Sequence, residues 1–179
     1  MIAIFRAATL AFASVLLLSG CSTKLEKAVC PNSNVLGNTS EVTVFKKGME
    51  GDPAGELFTV DITGVKATCS VDIDAGTTDS EVEISFRATR APSGEAGSYT
   101  VPYYVASLLD GTNVLQKQIL ATAFSFQPGD VTTTFTVEVP STVIRLENGK
   151  KPYQYSLLVG LQMTREQLDY SKSRGRYAL

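Results

Sequence analysis

The residue types that most often carry chemistry are thinly supplied in this 179-residue chain, which has no His and no Trp. Without imidazole, His-based triads, dyads and metal sites are excluded, and nucleophilic catalysis would need a Ser–Lys pair or a Thr beside an amine. Neither a GxSxG elbow nor an SxxK motif occurs, and no P-loop or GxGxxG follows a strand-like segment. The dense acidic group is Asp72, Asp74, Asp79, Glu81 and Glu83. Paired carboxylates serve glycoside hydrolysis, and oxygen-rich turns hold Ca²⁺. The run DIDAGTTDSEVE lacks EF-hand spacing, however, and outward carboxylates diverge along a strand, so the group reads as a solvated hairpin face. No catalytic residue, metal ligand or cofactor is assigned, and a non-enzymatic protein is expected.

The three cysteines say more. Residues 1–21 read MIAIFRAATLAFASVLLLSGC: Arg6, an apolar run from Ala7 to Leu18, then Ser19-Gly20-Cys21. This is the order of a secretory signal, and the run is shorter than the ~20 residues a membrane-spanning helix needs. LSGC resembles the lipobox of bacterial lipoproteins, which implies that residues 1–20 are removed and Cys21 carries a diacylglyceryl group. The competing readings are an uncleaved anchor helix and an ordinary signal with a chance Cys. Acyl chains contribute ~0.8 kcal/mol per buried methylene, so two or more hold a protein stably on a membrane. Removing Arg6 from the 16 basic side chains leaves 15 against 18 acidic ones, which provides no field for nucleic acid or for recruitment by anionic lipid. Ser22 after the Cys resembles the outer-membrane signal of enteric bacteria. The expected place is therefore the inner leaflet of the outer membrane, facing the periplasm.

With Cys21 lipidated, Cys30 and Cys69 remain, and an even pair in an oxidising compartment reads as a disulfide, the alternative being two free thiols. Such a bridge would constrain the unfolded chain by roughly 4 kcal/mol. Only about nine residues separate Cys21 from Cys30, a reach of at most ~30 Å. A domain fixed at Cys30 stays close to its own membrane.

The elements that would position any site are strands. Phe58, Val60 and Ile62 alternate with Thr59, Asp61 and Thr63 over 56–64; Val65, Ala67, Cys69, Val71 and Ile73 form the inward set over 65–74; Val82, Ile84, Phe86 and Ala88 do so over 81–90. Further β-branched or aromatic runs lie at 41–47, 98–109, 113–127, 131–139, 141–146 and 153–163, separated by Gly-, Pro-, Asp- and Asn-rich turns. Pro102 and Pro140 are expected to mark an edge strand and a strand end. The pattern predicts an all-β, two-sheet antiparallel sandwich, immunoglobulin-like or fibronectin III-like, with an open or closed barrel as the alternative. The expected organisation is a signal peptide helix over 1–20, lipidated Cys and tether over 21–40, sandwich over 41–163, and a short helix with a basic tail over 164–179. Thr164 and Gln167 fit a capping box, and Leu168 is the main apolar side chain to dock the helix.

Three surfaces are candidates for binding, the first being any unpaired sandwich edge, which offers strand addition to a partner. Lys172, Arg174 and Arg176 form a basic tail that reads either as a solvated terminus or as a docking segment for an acidic partner or polyanion, and deleting 165–179 is expected to leave the fold intact while weakening partner capture. Tyr104, Tyr153 and Tyr155, the last two beside Lys150 and Lys151, would suit a carbohydrate or small ligand if they converged on one exposed patch, packing in the core or at its rim being the default reading. By alternation Tyr103 points inward with Val101 and Val105, and Tyr104 the other way.

The stretches LSGC, CPNSNVL (30–36), FTVDITGVKATC (58–69), VPYYVA (101–106) and YSLLVGLQMTREQLDYSK (155–172) together resemble a family of alphaproteobacterial lipoproteins with a single β-rich periplasmic domain. The resemblance implies an envelope location, pairing of Cys30 with Cys69, and no enzymatic activity. The expected role is a membrane-anchored binding or scaffold module for an envelope protein, with a carbohydrate- or small-ligand-binding module as the alternative.

Overall fold

A computed structural model describes residues 30–174. The expected signal peptide helix, Cys21 and Arg176 lie outside the described residues. The strands are β1 (Asn32–Val35), β2 (Glu41–Phe45), β3 (Glu56–Asp72), β4 (Thr77–Arg90), β5 (Gly97–Leu109), β6 (Asn113–Phe126), β7 (Thr132–Arg145) and β8 (Tyr155–Leu161), and helix α1 (Arg165–Ser173) follows them. One sheet has the order β1-β8-β5-β6 and the other β2-β3-β4-β7. Neighbours are antiparallel except β1, which runs parallel to β8. The result is the expected two-layer sandwich with one short C-terminal helix. No helix among the described residues is long and apolar enough to cross a membrane.

Alternation sets the inner faces. On β4, Val82, Ile84, Phe86 and Ala88 are all buried, as their period-two spacing requires. The segments 56–64 and 65–74, expected as two strands, are one strand. The inward set changes from even to odd numbers because a bulge shifts the register between Ile62 and Gly64. Ile73 was expected inside. It lies past the end of β3, in the turn to β4, and is exposed.

The two segments around Pro140 are likewise one strand, β7. Ser80 faces Thr142 but Val82 faces Val139, so Pro140 sits in a bulge on an edge strand and not at a strand end. Pro102 lies on the inner strand β5, at the point where β8 runs out: Tyr103 pairs with Leu161, and Gln162 N–H donates to the Pro102 carbonyl. Beyond it β5 has no β8 neighbour, so the missing N–H is tolerated there. The stretch expected as tether also holds β1, a four-residue strand whose sequence NSNV offers no alternation to read.

The core between the sheets is strongly aromatic. Phe58, Phe86 and Phe135 of one sheet meet Tyr99, Tyr103, Phe124 and Phe126 of the other, with Phe58 4.6 Å from Tyr99 and 5.3 Å from Phe124 between ring centres. The disulfide between Cys30 and Cys69 is formed, with a Cα separation of 5.8 Å. Because Cys30 precedes β1 and Cys69 lies on β3, it ties the two sheets together.

Candidate functional site

A sandwich has four edges, and each exposes backbone donors and acceptors unless something blocks it. Edge β1 is four residues long. Edge β2 is five residues long and is flanked by α1. Edge β7 is bent by the bulge at Pro140. Edge β6 differs from all three. It runs for 14 residues, NVLQKQILATAFSF, with one charge, Lys117. Beyond a shift at its start opposite Ser107 and Leu108 it pairs regularly with β5, and no described strand pairs with its other side.

A lysine on an edge strand ordinarily discourages a second strand from adding. Lys117 is turned back over the sheet, where its ammonium donates to Gln162 Oε1 at 2.9 Å and lies 4.2 Å from the centre of the Tyr104 ring. Ile119, Ala121 and Ala123 follow on the same face, all exposed and none charged. This edge is long and nearly uncharged, and its outer side meets no described strand, which is the kind of edge to which an extended segment can add.

Helix α1 is placed as expected at its start. Thr164 Oγ1 accepts from Gln167 N at 3.2 Å, and Gln167 Oε1 accepts from Thr164 N at 2.9 Å, which completes the capping box. Its docking rests on a residue that the sequence did not single out. Tyr170 meets Phe45 edge-on with ring centres 4.8 Å apart, and its hydroxyl donates to the Glu56 carboxylate. Arg174 completes the contact at 3.1 Å from Glu56 Oε1. Arg174, expected to face a partner, is thus occupied within the domain, while Lys172 is exposed. The helix packs against the domain at this edge, so removing 165–179, expected to leave the fold intact, would uncover Phe45 and β2.

Burial first, and then the hydrogen bond to Glu56, pushes the Tyr170 hydroxyl above the ordinary tyrosine range; burial does the same to Tyr103. Both raised values favour the folded state below the unfolded tyrosine pKa of ~10, and that stability is lost as pH rises through the folded values. Tyr170→Phe is expected to cost about 1–2 kcal/mol at neutral pH and to flatten part of the alkaline fall, the Tyr103 part remaining. Urea unfolding at pH 7 and pH 11 checks both. An unchanged alkaline slope would mean that this hydroxyl does not hold the helix.

The three candidate tyrosines do not form one exposed patch. Tyr104 does point away from Tyr103, but it is only 6% exposed. Its hydroxyl lies 2.9 Å from Thr39 Oγ1 and its ring crosses Gly160, where an added Cβ would collide with it. Tyr155 is 1% exposed, and its hydroxyl accepts the Glu147 N–H at 2.7 Å, pinning the β7–β8 loop. Tyr153 alone is open, at 57%. Lys150 pairs with Asp110 at 2.6 Å, and that hydrogen bond raises its ammonium pKa.

The acidic strands border an open depression of about 530 Å³ where β7 bulges away from β4, lined by Lys66, Glu81, Glu83, Glu138 and Ser141 among others. Lys66 pairs with Glu83 at 3.3 Å, and Ser141 donates to Asp79. No group of three His, Cys, Asp or Glu among the described residues is arranged to hold a metal ion. The carboxylates behave as a solvated sheet face crossed by local pairs. Comparisons with known protein families, with characterised proteins and with solved structures find no match for this chain.

Proposed function

We propose that this chain is a lipid-anchored, non-enzymatic binding or scaffold module of a bacterial cell envelope, held through Cys21 and presenting β6 to an extended segment of another envelope protein. The observation that carries the binding mode is the contrast among the edges: β1 is short, β2 is flanked by α1, β7 is bent, and β6 is long, regular and nearly uncharged. Main-chain hydrogen bonds along such an edge supply affinity, and alternate side chains supply selectivity. The leader ending in LSGC and the resemblance to envelope lipoproteins support the location. The inner leaflet of the outer membrane is the place proposed.

The test is crosslinking in the cell with the native chain and with a double variant, Ile119→Lys and Ala121→Lys, which adds charge at two exposed positions. Capture of one reproducible envelope protein by the native chain, falling about tenfold or more in the variant, is the expected result. Equal capture by both would remove β6 as the surface. Capture of abundant bystanders alone would defeat the scaffold reading.

A further inference from the structure

The apolar side chains that remain exposed are unevenly distributed between the two ends of the sandwich. At one end lie the β3–β4 turn, the β5–β6 turn and the β7–β8 loop. They form one surface: Leu146 N–H donates to the Gly76 carbonyl at 2.8 Å, Asp110 N–H to the Gln154 carbonyl at 2.9 Å, and Lys150 pairs with Asp110. Cys30 belongs to this end, since it precedes β1, whose Asn32 pairs with Ser156 at the start of β8. Ile73, 85% exposed, stands on the first turn, Val114 and Leu115 follow the second, and Tyr153 stands on the third; all are exposed. At the opposite end, Val131 is the one large apolar side chain so exposed among the described residues.

We propose that this end docks on the phospholipid bilayer, with Ile73, Val114, Leu115 and Tyr153 entering the headgroup–acyl boundary. The proposal rests on the lipid anchor at Cys21. Two lengths select the bilayer as occupant. The segment from Cys21 to Cys30 reaches at most ~30 Å, and it arrives at this end. Strand β4 has 14 residues, so the sandwich is roughly 45 Å long, and the opposite end stands away from the membrane when this one touches it. The side-chain chemistry fits an interface. Tyr153 joins an apolar ring to a wet hydroxyl, and Lys151 beside it has a stem that lies along apolar surface while its charge stays in the headgroups. Asp74 and Glu147 on the same loops limit entry to side-chain depth. Each entering side chain removes apolar area from water. That adds orientation to the holding force of the acyl chains.

The chain has no Trp, so Ile73→Trp and Val131→Trp each provide a single emitter at one end. The lipidated protein purified from membranes is reconstituted in phosphatidylethanolamine–phosphatidylglycerol vesicles, with and without brominated acyl chains. The Ile73→Trp protein is expected to emit further to the blue and to lose roughly half or more of its fluorescence to the brominated lipid, while Val131→Trp is unchanged. Absence of quenching at Ile73→Trp in protein whose mass shows a diacylated Cys21 overturns the docking and leaves the anchor standing. Quenching of both positions alike also overturns it, because the domain would then lie on its side. If the mass shows no lipid on Cys21, the anchor reading falls; quenching of Ile73→Trp by added vesicles would then sustain bilayer docking by itself, and its absence would end that too.

Discussion

Phe58→Ala is expected to lower the unfolding free energy by about 3–5 kcal/mol, a large part of the ~5–15 kcal/mol that holds a domain folded. Phe58 is almost fully buried and touches Tyr99, Phe124 and Phe126, all from the opposite sheet. Truncation therefore empties the space between the layers, where backbone on both sides is fixed by strand pairing and cannot close the gap. Edge-on and tilted ring pairs add about 0.5–1.5 kcal/mol each beyond area burial. Phe58→Leu, which keeps most of the volume, should cost about half as much or less. Phe135→Ala gives the contrast. Its ring stacks on Phe86 at 5.1 Å and Phe124 at 4.9 Å but is only partly buried, on an edge strand, and should cost less than Phe58→Ala. Urea unfolding followed by circular dichroism measures all three. A Phe58→Ala loss below that of Phe135→Ala would show that the sheets can move together and that the aromatic row is not what sets their spacing.

Why some of this was legible in the sequence, and some was not, follows from the local physics of each element. Strand β4 alternates without interruption, so its four inward side chains could be assigned one by one. Strand β3 alternates with a change of parity, and alternation alone cannot distinguish a bulge from a turn; pairing with the uninterrupted β4 decides it. Pro140 posed the same ambiguity on β7. Strand β1 carried no signal because its stability comes from backbone bonds to β8 and from the neighbouring disulfide, not from its own side chains. The direction of Tyr104 and its packing in core or rim were readable, but not what encloses it, since Thr39 and Gly160 are distant in sequence. Tyr170 was missed for a related reason: within LDYSK it looks like part of a solvated helix, and only β2 brings Phe45 to it. Pairing of Cys30 with Cys69 needed no geometry. That a sandwich edge would offer strand addition was readable, but not that β6 is the edge left open, because this depends on what covers the others.

Replacing both Cys30 and Cys69 by serine is expected to cost roughly 4 kcal/mol, as loop closure over the 39-residue separation requires. Two mechanisms contribute, and they can be separated. Releasing the unfolded chain lowers global stability and speeds hydrogen exchange everywhere, including the middle of β4. Releasing β1 acts in the folded state, because this strand is four residues long and pairs on one side only. Its amides should then exchange much faster than the global value allows, while β4 reports the global loss. Exchange mass spectrometry on the oxidised protein and the double serine variant reads both. If β1 and β4 accelerate equally, the bridge works only through the unfolded chain. If β1 alone accelerates, it is a local staple. The staple has a consequence for position. With β1 released, the first fixed strand is β2, which begins at Glu41. The tether from Cys21 would grow from about nine to about twenty residues, and its reach from ~30 Å to ~70 Å. Under the anchor reading, the disulfide then sets the height of the domain above its membrane. The variant should lose quenching at Ile73→Trp in proportion to β1 release, even though neither cysteine touches lipid.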